Sequence, residues 1–515
     1  MPPQALEGVT ALLTKYWQQF KSGTDIRGCA SEGVATEPIN LTDEAVTAMA
    51  NGFLLWLADH EKKTVSSLTV ALGHDPRISA DRLRADVAGA LTSAGVHVLD
   101  CGLSSTPAMF MVTQDMNCDG SVQLTASHHP FNRNGLKFFT RAGGLDGPDI
   151  ESILQHAQDG DKPAAAKGTL ETVNYMDRYC ARLRDMIRKS VNAADYDHPL
   201  AGFHIVVDAG NGAGGFYATD VLAPLGADTS GSQFLNPDGH FPNHIPNPEN
   251  ETAMKSVCGA VVKSHADLGV IFDTDVDRGG AVDAKGDEIN RNRLVAIASA
   301  IALEGCPGGT IVTDSITSSG LKNYIENTLG GKHRRFKRGY RNVINEAVRL
   351  NAEGIACPLA IETSGHAAMK ENYFLDDGAY LVTKIIIKTA QLRAQGKTLE
   401  DLLAPLKEPA EAKEIRLPIK PEDFRAAGQK VIDDLTAYAA RQPGWTLAPD
   451  NFEGVRVSLD KAHGNGWFLL RLSVHDPIMP LNVESDTPGG VKLILSELSP
   501  FLSPLSSTLD LRVAL

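Results

Sequence analysis

The stretch FHIVVDAGNGAGGFYATDVL, residues 203–222, joins an apolar run, a turn rich in Gly, Asp and Asn, and a helical pattern in direct succession. A short apolar run of this kind has the length of a buried strand and is too short for a helix. Two further stretches repeat the plan: LTVALGHDPRISADRLRADVAGAL from residue 68 and GTIVTDSITSSGLKNYIENTL from residue 309. Each predicts a βα unit, and their wide spacing along the chain predicts three successive α/β domains.

The pattern changes after residue 408. PAEAKEIRLPIKPEDF predicts a connector with one strand, residues 425–441 have helical periodicity, and GVRVSLD and GWFLLRLSV predict two strands around a Gly-rich turn. This order favours a smaller α+β domain at the C-terminus. The expected domains are residues 1–195, 196–306, 307–415 and 416–515.

The composition of the 515-residue chain is that of a folded protein, with 43% apolar and 22% charged residues. It excludes wholesale disorder and fibrous architectures. The 49 basic residues against 63 acidic ones give a formal charge of −14. Because an acidic surface does not attract phosphate backbones or anionic lipid, we expect no nucleic-acid or membrane partner. An anionic substrate therefore needs a local basic site.

The seven cysteines are scattered and contain no C-x-x-C pair, which favours reduced thiols over a disulfide framework. The first residues, MPPQALEGVTALLTKYW, lack the basic start and continuous apolar core of a secretory signal. The longest apolar stretch, residues 294–303, is about half a membrane span and predicts a buried helix. These features predict a cytoplasmic protein.

A candidate catalytic segment is TASHHPFNRNGLKFF, residues 125–139. Ser127 follows the strand-like SVQLTA, and small polar residues at the end of a strand are expected to expose a hydroxyl to solvent. His128 is a candidate base and Lys137 is a candidate partner for an anion, so Ser127 fits a nucleophile or a phosphoryl carrier. A polar turn with a local serine hydrogen bond is the commoner explanation of an isolated Ser-His pair, so the pair alone does not decide the function.

A candidate metal site is ADLGVIFDTDVDRGGAVD, residues 266–283. Asp273, Asp275 and Asp277 alternate after the strand-like LGVIF, and Arg278 follows them. In an extended segment alternate side chains point the same way, and clustered carboxylates suit Mg²⁺. The spacing is not that of an EF-hand, because Gly279 falls one place late and no Glu closes the loop. The alternative is a solvated acidic turn.

A third segment, IETSGH at residues 361–366, again follows an apolar run. Glu362, Ser364 and His366 alternate and offer acceptors and donors suited to sugar hydroxyls. A polar turn without a ligand remains the alternative here.

A fourth segment, RLSVHDP at residues 471–477, ends a predicted strand. Arg471, Ser473 and His475 are expected on one face, where they would form a fork for a phosphate group. An ordinary surface β-turn explains the segment in isolation.

Together and in this order, the segments resemble the α-D-phosphohexomutase family, which includes phosphoglucomutases, phosphomannomutases and phosphoglucosamine mutases. Further motifs carry the resemblance: TDIRG at 24–28, G-x-D-x-R-x-S at 73–79, Thr106-Pro107, N-G-x-K at 134–137 and DAGNGAG at 208–214. The resemblance implies the four-domain architecture of that family, three α/β domains of similar fold and a smaller α+β domain.

The resemblance also implies an activity, the interconversion of hexose 1-phosphate and hexose 6-phosphate of glucose or mannose. Ser127 would carry a phosphoryl group and pass it through a bound hexose 1,6-bisphosphate, which would also act as activator. One Mg²⁺ per chain would be held by the three aspartates and a Ser127 phosphate oxygen. Arg278, Arg27 and Lys137 would stabilise the transferring group, and His128 would be the general acid or base.

Substrate recognition is implied for the residues of the two later segments and for one arginine in KRGYRNV. They are Glu362, Ser364 and His366 for the hydroxyls, Arg471, Ser473 and His475 for the phosphate that does not react, and Arg341. The sequence departs from the family pattern at four places: His129 for Asn, Ile361 for Gly, His475-Asp476 for Thr-Glu, and Pro480 for Arg. These departures concern phosphate anchoring and leave Ser127 and the aspartates intact.

Three alternatives to this function stay open. A phosphoglucosamine mutase shares the motifs, a non-catalytic paralogue would use the fold as a sugar-phosphate sensor, and a Mg²⁺ phosphatase ranks last because the chain has no evident aspartate-nucleophile motif. The expected partner is a hexose phosphate, and the expected assembly is a monomer or homodimer. Because the segments lie far apart in the chain, domain closure around the substrate is also expected.

Overall fold

The computed structural model describes residues 13–449, 451–473 and 476–513. Two compact units divide the chain: residues 1–288 with 375–390 form the first, and residues 289–374 with 391–515 form the second. Within the described ranges, every helix is too short or too polar to traverse a bilayer. The domain boundaries given above stay a prediction.

The strands are short. They are β1 (Lys21–Ser22), β2 (Asp25–Cys29), β3 (Thr69–His74), β4 (His97–Leu103), β5 (Gly120–Leu124), β6 (Arg133–Thr140), β7 (Gly143–Gly144), β8 (Thr169–Thr172), β9 (Ile205–Asp208), β10 (Leu268–Phe272), β11 (Gly279–Asp283), β12 (Glu288–Ile289), β13 (Thr310–Thr313), β14 (Lys332–Arg335), β15 (Leu359–Ile361), β16 (Ala367–Met369), β17 (Glu411–Pro418), β18 (Trp445–Leu447), β19 (Val455–Leu459), β20 (Gly466–Leu470) and β21 (Ile478–Ser485).

The α-helices alternate with these strands over much of the chain. They are α1 (Lys15–Gln18), α2 (Asp43–Glu61), α3 (Ala80–Ser93), α4 (Thr106–Asp115), α5 (Gly147–Asp159), α6 (Tyr175–Val191), α7 (Glu251–Ser264), α8 (Arg291–Gly305), α9 (Ser319–Asn323), α10 (Tyr340–Ala352), α11 (Gly378–Ala394), α12 (Leu399–Leu403), α13 (Phe424–Ala439) and α14 (Gly490–Leu502).

The larger sheet of the first unit has the order β1-β2-β6-β5-β3-β4-β8, with β7 on β6. Strand β3 runs parallel to β4 and β5, whereas β6 runs antiparallel to β5. Strand β5 is buried along its whole length, although the polar Ser121 and Gln123 alternate with its apolar residues. Strand β3 leads into α3, which confirms the first predicted βα unit. The loop between β5 and β6 carries Ser127.

The smaller sheet of the first unit pairs β9 and β10 in parallel and β10 and β11 in antiparallel. The helix predicted after β9 is present, but it is irregular. It consists of a 3₁₀ turn at Ala213–Gly215, a π-helix at Tyr217–Leu222 and a second 3₁₀ turn at Ala223–Leu225. Another part of the chain approaches closely here, and a Cβ on Gly215 would lie 2.1 Å from the carbonyl oxygen of Leu235, which explains this glycine.

The segment 375–390 returns to the first unit after the chain has passed through part of the second. Gly378 donates its backbone N–H to the carbonyl oxygen of Val276 at 3.1 Å. The Tyr179 hydroxyl donates to Asp377 at 2.7 Å, and the Tyr217 hydroxyl lies 2.7 Å from that of Thr383. This segment therefore supports the loop between β10 and β11.

The second unit contains two sheets, with the orders β14-β13-β15-β16 and β17-β21-β20-β19-β18. Strand β13 leads into α9, which continues as a π-helix at Tyr324–Thr328, so the third predicted βα unit is confirmed with a shorter α-helix. In the C-terminal part the predicted strands and helix appear as β17, α13, β19 and β20. Strands β18 and β21 and helix α14 were not predicted.

Candidate active site

Ser127 lies in the turn between β5 and β6 with a left-handed backbone, at φ 51°. Its backbone N–H donates to the Thr125 hydroxyl at 2.9 Å. Only 6% of Ser127 is exposed, so the expectation of a solvent-exposed hydroxyl is wrong. A non-glycine residue in this backbone region is uncommon and is held there by its surroundings.

Arg77 holds the Ser127 loop in place. Its guanidinium is buried, lies 3.2 Å from the Asp75 carboxylate, and donates to four loop carbonyls, those of Ser127, His129, Pro130 and Arg133. Burial raises the pKa of Asp75 to about 6, although the charge of Arg77 opposes this rise. The sequence analysis assigned Arg77 no role of its own. Its position in the G-x-D-x-R-x-S motif was the sequence feature that could have indicated one.

The Ser127 hydroxyl lies among three functional groups. It is 3.4 Å from an Asp273 carboxylate oxygen, 3.3 Å from the Arg278 Nη2 and 3.2 Å from the His128 Nδ1. Arg278 also donates to His128 Nδ1 at 2.7 Å, and because a guanidinium only donates, this nitrogen accepts. The structure therefore brings a hydroxyl, a carboxylate, a cation and an exposed imidazole together, as the sequence segments predicted.

Arg278 is buried among carboxylates. Its Nε donates to Asp273 at 3.1 Å, and its guanidinium lies 3.9 Å from both Asp277 and Glu249. Burial works against the charged guanidinium, but the carboxylates outweigh it and raise the pKa of Arg278. Arg278 thus stays cationic beside the Ser127 hydroxyl.

The three aspartates converge on one point. Asp273, Asp275 and Asp277 are fully or nearly fully buried, and one carboxylate oxygen from each lies within 4.8 Å of the others. They converge through a turn between β10 and β11, and not through the extended alternation that the sequence suggested. The Oδ1 of Asp275 is buried without a hydrogen-bond partner among the described residues. A buried carboxylate oxygen of this kind fits a cation ligand, so the triad can hold one metal ion.

The turn that carries the triad is strained at Val276, which has φ 68°. A positive φ at a β-branched residue is a conformational outlier and is often found at functional sites. Neighbouring backbone fixes the turn, because Ala213 donates to the carbonyl oxygen of Thr274 at 2.8 Å and Gly378 donates to that of Val276. A Cβ on Gly212 would lie 2.7 Å from the Thr274 oxygen, which explains this glycine in the DAGNGAG motif.

Two side chains from other elements, Lys137 on β6 and Thr106 at the start of α4, hydrogen-bond to the triad. Lys137 on β6 donates to Asp277 at 2.7 Å and is 5% exposed. Thr106 donates its hydroxyl to Asp275 at 2.5 Å and its backbone N–H to the Asp275 carbonyl oxygen at 2.8 Å. Sequence reasoning assigned Lys137 to anion neutralisation and missed the contact of Thr106, for which the Thr-Pro motif was the only signal.

Arg27 and His129 lie at the edge of this group. Arg27 is half-buried, pairs with Asp25 at 2.9 Å and donates weakly to the Ala126 carbonyl oxygen at 3.5 Å. Burial, together with the charges of Arg27 and Arg77, lowers the pKa of His129 to about 3. His129 is therefore neutral near pH 7 and does not add charge to the site.

The predicted sugar-recognition residues lie in the second unit. Burial and the charge of Asp314 raise the pKa of Glu362 to about 7, and Glu362 accepts the Gly339 N–H at 2.6 Å. The Ser364 hydroxyl is buried and has no hydrogen-bond partner among the described residues. His366 stacks on Tyr340 with 5.2 Å between ring centroids. The buried Ser364 hydroxyl and the Glu362 carboxyl, whose pKa is raised, are both suited to bind ligand hydroxyls.

The predicted phosphate fork also lies in the second unit. Arg471 is 7% exposed, its Nη1 lies 3.6 Å from Glu453, and its Nε is buried without a hydrogen-bond partner among the described residues. Burial lowers the pKa of Arg471, and the charge of Glu453 opposes this shift. Ser473 follows the end of β20, whereas His475 lies outside the described residues. Arg341 lies half-buried in the first turn of α10.

Comparisons with known proteins agree with these features. Models of phosphoglucomutase/phosphomannomutase α/β/α domains I, II and III match residues 19–164, 177–286 and 290–408. A phosphomannomutase/phosphoglucomutase of Pseudomonas syringae pv. tomato is 30% identical over 447 residues, which cover 86% of this chain and 88% of that protein. The chain belongs to the phosphoglucomutase/phosphomannomutase family.

Other family members are similar over comparable lengths. A phosphoglucomutase of Neisseria gonorrhoeae is 27% identical and covers 91% of this chain and 94% of its own. The crystal structure of a phosphoglucomutase/phosphomannomutase family protein from Burkholderia thailandensis has a TM-score of 0.78 and 25% identity, and covers 95% and 98% of the two chains. The sequence-based expectation of a phosphohexomutase is thereby confirmed, and the chain is an isomerase that acts on hexose phosphates.

Proposed function

We propose that the enzyme interconverts the 1-phosphates and 6-phosphates of glucose and mannose by moving a phosphoryl group on and off Ser127. The observation that supports this is the Ser127 hydroxyl, held 3.4 Å from a carboxylate of the acidic triad and 3.3 Å from the Arg278 guanidinium. Phosphoryl transfer requires such positioning together with positive charge around the transferring group.

The proposed cycle has two balanced transfers. In the first, a free hydroxyl of the hexose monophosphate attacks the phosphorus on Ser127, the bond from Oγ to phosphorus breaks, and the hydroxyl proton passes to a base. The product is a bound hexose 1,6-bisphosphate. In the second, Ser127 Oγ takes the other phosphoryl group, and the sugar oxygen that is released regains a proton. A hexose 1,6-bisphosphate added as activator reloads an unphosphorylated Ser127 by the same chemistry.

Four side chains of the first unit have proposed roles in this cycle. Arg278 and Lys137 keep positive charge beside the triad, and Arg27 adds a third cation near the loop. His128 is the proposed general acid or base, because its exposed ring lies 3.2 Å from the Ser127 hydroxyl.

The acidic triad would hold Mg²⁺ together with a phosphate oxygen on Ser127. Hard oxygen ligands and the buried Asp275 oxygen without a partner support this assignment. When bound, Mg²⁺ supplies positive charge that offsets the charge of the transferring phosphoryl group.

Recognition of the sugar is assigned to the second unit. Glu362, Ser364 and His366 would bind the hydroxyls in either orientation of the hexose. The phosphate that does not react would be bound by Arg471, Ser473, His475 and Arg341. The buried Nε of Arg471 supports this role, because it is a donor that a phosphate oxygen would satisfy.

The test of the carrier is Ser127→Ala, with Ser93→Ala as matched control. Ser93 is exposed at the end of α3, so its substitution should leave turnover unchanged. We expect Ser127→Ala to abolish mutase activity with Mg²⁺ and bisphosphate present, while the melting temperature stays that of the wild type. Intact-mass spectrometry after incubation with bisphosphate should find one phosphoryl group on the wild type and none on Ser127→Ala. Full activity of Ser127→Ala would contradict the proposed carrier.

The substrate is tested by coupled assays with glucose 1-phosphate, mannose 1-phosphate and glucosamine 6-phosphate. We expect turnover of the first two to exceed turnover of the amino sugar. The reverse order would identify a phosphoglucosamine mutase. Binding of these compounds without turnover, in protein that stays free of a phosphoryl group even after incubation with hexose 1,6-bisphosphate and Mg²⁺, would identify a sugar-phosphate sensor.

A further inference from the structure

A basic pocket lies in the second unit, outside the residues assigned to sugar and phosphate binding. Its volume is about 90 Å³, and its lining includes Lys322, His333, Arg335, Phe336, Phe452 and Arg456. A single water needs about 10–15 Å³ of such volume, so the pocket has room for a group of several heavy atoms. Three of the lining side chains are basic, and no described lining residue is acidic.

The two arginines of the pocket have no ionic partner among the described residues. Arg456 is 5% exposed, stacks on Trp467 at 3.5 Å, and donates to the carbonyl oxygens of Ser315 and Thr317. Arg335 is half-buried, and its hydrogen bonds to described residues run from Nε and Nη2 to Thr317 and Ser318. Carbonyl oxygens satisfy hydrogen bonds but do not neutralise charge, so the two neighbouring guanidiniums depend on carboxylates outside the pocket lining, those of Glu484 and Asp314, for countercharge.

The nearest acidic groups compensate this charge only in part. Lys322 on α9 pairs with Glu326. Glu484 on β21 accepts the Trp467 Nε1–H at 2.8 Å, and burial raises its pKa to about 7 against the attraction of Arg456. Near neutral pH this carboxyl is therefore only partly ionised.

His333, one of the lining residues, has a ring nitrogen that makes no hydrogen bond within the described part of the chain. Its Nε2 lies 2.8 Å from the Thr313 hydroxyl, while its Nδ1 is buried without a hydrogen-bond partner among the described residues. Burial and the charges of Arg335, Lys322 and Arg456 hold the pKa of His333 well below its ordinary value. The Nδ1 is a group that a ligand would satisfy, either as an acceptor or, in the other tautomer, as a donor.

We propose that this pocket binds a phosphate-class oxyanion, either inorganic phosphate or the phosphate group of a monoester. A guanidinium fork, a lysine and an unpartnered imidazole nitrogen match the oxygens of such a group. The neighbouring rings of Phe336 and Phe452, 5.0 Å apart, provide an apolar wall for the rest of a monoester. The bound anion would supply countercharge within the pocket and connect β14 with the residues before β19.

The test uses the full chain in the Arg471→Ala background, because Arg471 belongs to the phosphate fork proposed for catalysis. Inorganic phosphate and methyl phosphate are titrated separately by calorimetry, which distinguishes the free ion from a monoester. We expect one site in this background. Addition of Arg335→Gln should weaken its affinity by about tenfold or more, and addition of Lys322→Gln by a few fold. Lys492→Gln, an exposed lysine on α14, is the control and should change nothing.

A second measurement keeps the test valid if Arg335→Gln folds poorly. The imidazole resonance of His333, assigned with His333→Gln, should shift on phosphate addition in the Arg471→Ala protein. An unmoved resonance, or affinity that ignores Arg335 and Lys322 and depends on Arg471 alone, would overturn the proposal. Neither measurement depends on turnover, so a failure here is distinguishable from a failure of the proposed mutase reaction.

Discussion

Replacement of Arg77 by methionine removes the side chain that holds the Ser127 loop. The change preserves much of the apolar volume and deletes a guanidinium that pairs with Asp75 and donates to four loop carbonyls. The buried Asp75 carboxylate then loses its ion pair and keeps the hydrogen bond from the Thr125 hydroxyl at 2.7 Å. We expect both stability and catalysis to fall.

The magnitude follows from the burial of the pair. Both side chains are fully buried, and loss of one partner of a buried ion pair costs about 3–5 kcal/mol. The cost should depend on pH, because the pKa of Asp75 already stands at about 6 with Arg77 present and rises further without it. At pH 8 the isolated carboxylate is charged and the full cost applies, whereas at pH 5.5 protonation of Asp75 relieves much of it.

The assay combines urea unfolding at pH 5.5 and pH 8 with hydrogen exchange of peptides that cover residues 120–140. Arg141→Met is the control, since Arg141 is exposed and its substitution should cost under about 0.5 kcal/mol. We also expect the double variant with Asp75→Asn to be more stable than Arg77→Met alone, because no buried charge is left unpaired. The kcat, corrected for the folded fraction, should fall at least about tenfold, since a loosened loop misplaces Ser127.

Two results would refute this reasoning. One is a loss of stability that is equal at pH 5.5 and pH 8, which would mean that Asp75 is not the group left unpaired. The other is wild-type kcat together with faster exchange of the loop, which would mean that the loop does not position Ser127.

Three further changes test other parts of the site. Asp275→Asn should raise the Mg²⁺ concentration for half-maximal turnover and lower kcat by about 100-fold; a Mg²⁺ titration after chelation measures this, and an unchanged titration would exclude Asp275 as a ligand. Gly378→Ala should lower the free energy of unfolding by about 1–3 kcal/mol, because its Cβ would lie 2.4 Å from the carbonyl carbon of Arg278; an unaltered urea midpoint would contradict this. The pKa of Glu362 is raised from 4.5 to about 7 by burial, so its charge costs stability as the pH rises from 4.5 through 7. Glu362→Gln should therefore stabilise the protein at pH 8 by up to about 3 kcal/mol and much less at pH 5, and thermal melts that differ equally at both pH values would refute the assignment.

Local patterns predicted the strands that are buried and bounded by turns. Strands β3, β10 and β13 are each built on a short apolar run that precedes a polar turn, and the sequence shows both features. Strand β21 was missed because Pro480 interrupts its pattern and proline is rare inside a sheet. The structure accommodates it opposite Arg416 of β17, where the Pro480 carbonyl oxygen accepts the Arg471 N–H at 3.1 Å.

The composition of the candidate site was predictable, but its internal contacts were not. The alternation of Asp273, Asp275 and Asp277 indicated a shared ligand, although the turn that joins them depends on a positive φ at Val276 that no side-chain pattern reveals. The contact of Thr106 with Asp275 joins residues far apart in the chain. Such contacts depend on the packing of two sheets, and the sequence spacing carries no information about it.

The return of residues 375–390 to the first unit has a consequence for biosynthesis. At about 5–20 residues per second, a ribosome needs on the order of 5–20 s to proceed from residue 288 to residue 390. Until residue 378 is added, the nascent chain contains Ser127 and the aspartates but not the glycine that donates to Val276. The first unit is thus completed late in translation, and an unfinished chain is exposed to chaperones and proteases while the strained turn at Val276 lacks this support.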